Sequence, residues 1–323
     1  MGTTELTPTN RADLAPTGIL EAFAAFLRLN VAQGDASPET IRAYHRHAGQ
    51  YVAWCAAQGI APAEASEHDL EAYRRALVET GQTRATIAGK LAAVRRLYAA
   101  ATWRGLRHDN PAEGLRAPRE RTARAERIRY LPLDGLRRLL AAPDMTKARG
   151  KRDAAALALM GLHGLRVAEV CALRLEDLDL DTGTARVLGK GRKERRVFLI
   201  AHTTAAIRVW LGVRDRIARP GVAAVFLALD HRTHGMAMTT RAIRRVVDGY
   251  LAQSGMKAEG VSCHSLRHSA ATWALAGGAK LEAIGDMLGH SSRDTTALYA
   301  RIVDRMASNP ARYAAEMLGL SVR

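Results

Sequence analysis

Between Gly18 and Gly105, apolar residues recur every three or four positions, and that period is the mark of helices. Ile19, Phe23, Phe26 and Leu27 form the first stripe. Ser37-Pro38-Glu39-Thr40 starts a second helix, with Ser37 as its N-cap and Pro38 in its first turn. It runs through Tyr44, Tyr51 and Trp54 and stops near Gly59. Ser66 caps a third helix carrying Leu70, Tyr73 and Leu77. A fourth runs from about Thr83 through Ile87, Leu91, Val94, Leu97 and Tyr98. Four short amphipathic helices predict a small all-α unit over 17–110, after a flexible polar lead at 1–16.

Asp109-Asn110-Pro111 ends that unit. Residues 111–130 read as a basic linker, with Arg116, Arg119, Arg121, Arg124, Arg127 and Arg129 set against three glutamates. It is either an arm across a phosphate backbone or a solvated connector. A second domain, 131–308, begins with Leu136, Leu139 and Leu140 on one helix face and an apolar helix over 153–163. One β-rich unit interrupts the helices. Thr184–Leu188 and Glu194–Ile200 flank the Gly-bounded turn Gly189-Lys190-Gly191-Arg192-Lys193, which predicts a hairpin. Helices are expected at about 203–217, 239–253, 264–276, 280–288 and 293–304. The tail, 309–323, carries an apolar stripe from Tyr313 to Leu320, suited to packing on its own domain or on a neighbouring subunit. The class is mainly α with a small β-hairpin or sheet.

At 323 residues the chain has room for about two domains. Its formal net charge of +16 favours a polyanionic partner, nucleic acid or an acidic membrane surface. Arg42, His45 and Arg46 on the second helix and Arg84, Lys90, Arg95 and Arg96 on the fourth are expected to be exposed and to carry part of that charge. The apolar runs Ala154–Leu162 and Val222–Leu229 are too short to span a bilayer. Met1 to Pro16 lacks an apolar signal core, so a cytoplasmic location without membrane is expected. Cys55, Cys171 and Cys263 are few and far apart, which predicts buried thiols, no disulfide framework and no zinc site.

The informative motifs are short. In His264-Ser265-Leu266-Arg267-His268, His264 and Arg267 share a helix face and can donate to an anion near a helix N-terminus. His268 reads as structural. In Gly164-Leu165-Arg166-Val167-Ala168-Glu169, Arg166 sits at a Gly-to-helix junction, with Glu169 placed to orient its guanidinium toward a phosphate. Lys190 lies at the hairpin turn, and His290, in Gly289-His290-Ser291-Ser292, precedes Tyr299 by nine residues. His163, His231, His234 and His268 have no ligand spacing, so neither a metal nor any other cofactor is expected. Taken singly, each motif is an ordinary surface or packing feature.

Taken in order, GLRxxE, GKGxK, HxLRH, LGHSS and a following Tyr resemble the tyrosine recombinase (phage integrase) family, and most of all its Xer-type and mobile-element members. The resemblance implies an N-terminal helical core-binding (SAM-like) domain and an α+β catalytic domain. It implies a catalytic set of Arg166, Lys190, His264, Arg267, His290 and Tyr299. It implies double-stranded DNA recombination sites as substrate, a homo-tetramer on two such sites, alone or with a second recombinase, and the 309–323 tail as a subunit contact. In the family the tyrosine attacks a phosphodiester, leaves a 3′-phosphotyrosyl bond and a free 5′-hydroxyl, and needs neither metal nor ATP. Arginines and histidines supply the charge neutralisation that a metal would otherwise give. The resemblance gives proton donation to the leaving oxygen to Lys190. Two other readings use the same fold: a type IB topoisomerase, with a similar residue set, and a non-enzymatic DNA binder, which has no need of Tyr299.

Overall fold

Ser37 Oγ accepts a hydrogen bond from the Thr40 N–H and opens α2 (Pro38–Ala57) behind Pro38. The same device starts two more helices. Ser66 and Asp69 exchange side-chain and backbone bonds at the head of α3 (Glu67–Glu79), and Thr83 caps α4 (Arg84–Trp103). With α1 (Pro16–Asn30) they close around Phe23, Leu27, Tyr51, Leu70, Leu91 and Leu97. Tyr98 donates to the Pro62 carbonyl at 2.8 Å, which leaves its oxygen to accept from Tyr51 at 2.6 Å.

The computed structural model describes residues 16–31, 36–119, 124–189, 193–289, 293–308 and 317–318. The described chain divides into two units, one ending at Arg121 and one starting at Thr122. It is mainly helical with one small sheet. Lys190, His290, most of the lead and all of the tail except Met317 and Leu318 lie outside the described residues. Among the described residues no helix is long and apolar enough to cross a membrane.

One expectation about the first unit is corrected. Arg42 and Arg46 are exposed, but His45, Arg84, Lys90, Arg95 and Arg96 are half-buried. The three arginine heads are engaged by the chain itself. Arg95 donates to the Leu115 carbonyl at 2.5 Å, Arg84 donates to the Arg119 carbonyl, and Arg96 lies over the Tyr44 ring at 5.0 Å. Ala112 and Leu115 are buried against the same unit. The segment after α4 is therefore tied down as far as Arg119.

In the second unit, α5 (Leu133–Ala141), α6 (Ala148–Gly161) and α8 (Ala201–Arg214) surround the run Ala155–Met160, all of it buried. The apolar run had predicted α6 to start five residues later. Its first turn is polar, with Arg149 exposed, so hydropathy marks only the buried part. α7 (Val167–Ala172) starts at the Gly-to-helix junction read at Arg166, whereas β1 (Leu178–Asp179) was not anticipated. β1, β2 (Thr184–Leu188) and β3 (Glu194–Phe198) form an antiparallel sheet in that order. The register pairs Val187 with Arg195 and Ala185 with Val197. β3 ends two residues earlier than expected: the Leu199 N–H still donates to the Gly183 carbonyl, but Ile200 is already the capping residue of α8.

α9 (Thr240–Gln253) packs on α7 and on α10 (Cys263–Ala276). A separate apolar cluster joins α10 to α11 (Leu281–Leu288) and α12 (Arg293–Ala307) through Ala271, Ile284, Leu288, Leu298, Tyr299 and Ile302. Cys55 and Cys263 are buried as expected, whereas Cys171, on the short α7, is only half-buried.

Candidate active site

Arg166 is the residue before α7, in extended backbone that turns its N–H back toward Glu169. That N–H donates to Glu169 Oε2 at 2.8 Å, and its guanidinium donates to Oε1 at 2.8 Å. A third of the Arg166 side chain stays exposed, while the carboxylate it grips is buried. One face of the guanidinium is thus open to an incoming anion.

Arg267 is held differently. It is buried in the first turns of α10 and donates to the carbonyls of Gly164, at 2.5 Å, and Leu288, at 2.6 Å. It links the turn before Arg166 to the end of α11. Gly164 has φ +64°, and a Cβ there would lie 2.4 Å from Leu288 Cδ2, so this corner closes only around glycine. Burial and the neighbouring Arg166 push the Arg267 pKa down to about 10, still charged at neutral pH.

His264 lies at the exposed head of α10, where its N–H donates to the capping Ser262 Oγ at 3.3 Å. Partial burial, then the positive charges of Arg244, Arg267 and Arg166, hold its imidazole below the ordinary value. Those influences place His264 within the electrostatic reach of both arginines. Tyr299 lies on α12, which packs on α10. Its ring is buried in the α10–α12 cluster, and its hydroxyl lies 2.8 Å from His268 Nδ1. His268, read from the sequence as structural, is thus the histidine that meets the phenol.

The structure therefore sets Arg267 beside the turn that carries Arg166 and against the end of α11, whose Leu288 packs in the Tyr299 cluster, with His264 one helical turn before Arg267. Lys190 and His290 lie outside the described residues. Their chain neighbours Gly189 and Gly289 are described. The Gly189 N–H donates to the Lys193 carbonyl at 2.8 Å and closes the base of the hairpin turn. Gly289 ends α11 in the left-handed region, at φ +61°.

One site residue was missed. Arg195 grips Glu169 from the other side, with bonds of 3.0 and 2.9 Å. Burial alone would push the Glu169 carboxyl up, but Arg195 and Arg166 override it and hold it below the usual range. A signal was present in the sequence. Side chains alternate along a strand, so an inward Val197 puts Arg195 on the buried face. A lone arginine among buried valines asks for a carboxylate partner.

Comparison with known proteins supplies the context. Residues 129–305 match the family model described as "Phage integrase family", and residues 20–105 match "Phage integrase, N-terminal SAM-like domain". A tyrosine recombinase XerC of Pelobacter propionicus is 35% identical over 292 residues, 89% of this chain and 93% of that protein. A XerC of Corynebacterium efficiens is 36% identical over 283 residues, 88% of this chain and 86% of that one. Among solved structures, XerH site-specific recombinase bound to its palindromic difH substrate, in a post-cleavage complex, superposes with a TM-score of 0.68. That match covers 92% of this chain and 96% of the other at 19% identity, and shows a shared fold.

Proposed function

The chain belongs to the phage integrase family, and from that premise we propose that it is a site-specific DNA recombinase that breaks and rejoins strands through a tyrosyl phosphodiester. The observation that carries the reading is the placing of Arg166 and Arg267 about the Gly164 turn, with Arg267 also bonded to the end of α11, whose Leu288 shares an apolar cluster with Tyr299. A phosphodiester is anionic and repels an oxygen nucleophile. Two guanidinium groups facing its non-bridging oxygens cancel that charge and stabilise the extra charge of the transition state. Tyr299 Oη then forms a bond to phosphorus as the bond to the 5′-oxygen breaks. The product is a 3′-phosphotyrosine and a 5′-hydroxyl. The phenol proton must leave, since a phenol titrates near 10, and the departing oxygen must gain one. By resemblance, Lys190 at the hairpin turn gives that proton, and His264 and His290 donate to the phosphate. The ester keeps the energy of the broken bond, so a second 5′-hydroxyl can reverse the step without ATP.

The finer organisation belongs to the same proposal. The 17–110 unit is the core-binding domain, 111–130 follows the duplex between it and the 131–308 catalytic domain, and 309–323 makes a subunit contact. A homo-tetramer assembles on two double-stranded recombination sites in the cytoplasm. The +16 charge supports a strong salt dependence of DNA binding.

Tyr299→Phe tests the core of this reading. On a nicked duplex taken from the DNA flanking its own gene, the variant binds as the parent does and forms no covalent adduct. An adduct with the variant moves the nucleophile elsewhere. Relaxation of supercoils by the parent with no recombinant product would favour the topoisomerase reading instead.

A further inference from the structure

Arg195 touches three places at once. Its guanidinium forks across both oxygens of Glu169, the carboxylate that also holds Arg166. Its flank lies against Gly289, where a Cβ would come within 3.1 Å of Arg195 Cδ and Nη1. A Cβ on Gly189 would lie 3.6 Å from the same Nη1 and 4.0 Å from Glu169 Oε1. These three places are the start of α7, the end of α11 and the base of the β2–β3 turn. In the chain, Gly289 precedes His290 and Gly189 precedes Lys190. One side chain is therefore shared by segments that carry three of the six residues assigned to the chemistry.

Burial of a single arginine for stability alone predicts full satisfaction of its donors. Arg195 departs from that. Its Nε is buried with no acceptor among the described residues, an arrangement that disfavours the fold. An apolar side chain of similar length would fill the space without that penalty. What an apolar chain cannot do is hold a carboxylate with two parallel bonds. Lysine cannot do it either, because its ammonium is a point charge without a fork.

We propose that Arg195 is a positioning residue for strand cleavage, fixing Arg166 through Glu169 and bracing the turns at Gly189 and Gly289 from which Lys190 and His290 extend. This rests on the recombinase reading above. Arg195 need not meet DNA. Its effect is on where the phosphate clamp and the proton donor stand, so its loss acts on the chemical step more than on binding. It acts in part on protonation of the leaving oxygen. A substrate whose leaving group needs no proton is then less sensitive to it.

The test uses the full-length chain and the same nicked duplex, made with either an oxygen or a sulfur at the 5′-bridging position. Arg195→Met is expected to bind DNA within about twofold of the parent and to form adduct about 10²-fold more slowly on the oxygen duplex. On the sulfur duplex a substantial part of that loss is recovered, because a thiolate leaves unaided. Arg195→Lys keeps length and charge, guards against a folding failure of the methionine variant, and is expected to fall between the two. A parent-like rate for Arg195→Lys on the oxygen duplex overturns the proposal. So does a loss of equal size on both duplexes, which marks Arg195 as a stabilising residue only. Tyr299→Phe runs alongside. If it still forms adduct, the recombinase reading has failed. If it is silent while Arg195→Lys keeps full speed, only this inference has failed.

Discussion

Among the described residues, the first unit closes its core with hydrocarbon and phenol, and no charged residue in it is buried. The second unit buries Arg152, Asp153, Glu169, Arg214 and Arg267. Both are helical and both have ample apolar residues, so the difference is not one of fold stability. Taking an ion out of water costs several kcal/mol unless fixed partners meet it. The first unit avoids that cost. The second accepts it, and each of its buried arginines is met by a carboxylate or by backbone carbonyls.

The contrast can be broken most directly at Asp153. Its carboxylate meets the buried Arg152 at 2.7 Å and accepts from Tyr250 at 3.2 Å. Asp153→Ala strands a buried guanidinium and is expected to lower stability by about 3–5 kcal/mol in urea denaturation. A loss below about 1 kcal/mol would put the two units on the same footing.

The next effect is pH-dependent. Burial pushes the His163 imidazole down to about 4, and its Nε2 lies 3.0 Å from Thr203 Oγ1. In the unfolded chain it titrates near 6.5. Between those values the unfolded chain binds the extra proton, so stability rises with pH through that window. It is full above about 6.5 and falls by up to about 3 kcal/mol as pH drops toward 4. Melting temperatures of the parent and of His163→Gln from pH 7.5 to 4.5 should diverge in slope, the variant being flatter. Parallel curves would remove His163 from the set of buried titrating groups.

The smallest effect belongs to the first unit. Tyr51→Phe deletes a hydrogen bond to Tyr98 but leaves Tyr98 bonded to Pro62, so about 1 kcal/mol is expected. A loss matching that of Asp153→Ala would mean that the first core also depends on a polar network.

How much could be read in the residues follows the same division. Ser37, Ser66 and the segment from Thr83 marked the first unit's helices because capping is a local act, written within four residues. The two halves of the hairpin were legible from a β-rich run around a glycine-bounded turn. Arg166 and Glu169 were legible as a pair because three residues on a helix share a face. Arg195 was not, because its partner lies 26 positions away and it sits among Arg192, Lys193 and Arg196, where charge looks like surface. The half-buried arginines of α4 were misread for a related reason. A guanidinium that donates to a carbonyl of the following segment is indistinguishable, in sequence, from one that meets water. β1 was too short to carry a period.

Tyr299 is one of six buried side chains at the centre of the apolar cluster of α10, α11 and α12 among the described residues. The same ring serves as masonry and, in the reading above, as reagent. Trimming it to alanine would hollow out that wall at a cost of about 3–5 kcal/mol, so a silent variant would say nothing about chemistry. Phenylalanine removes one oxygen and leaves the masonry standing, which makes a single atom the variable.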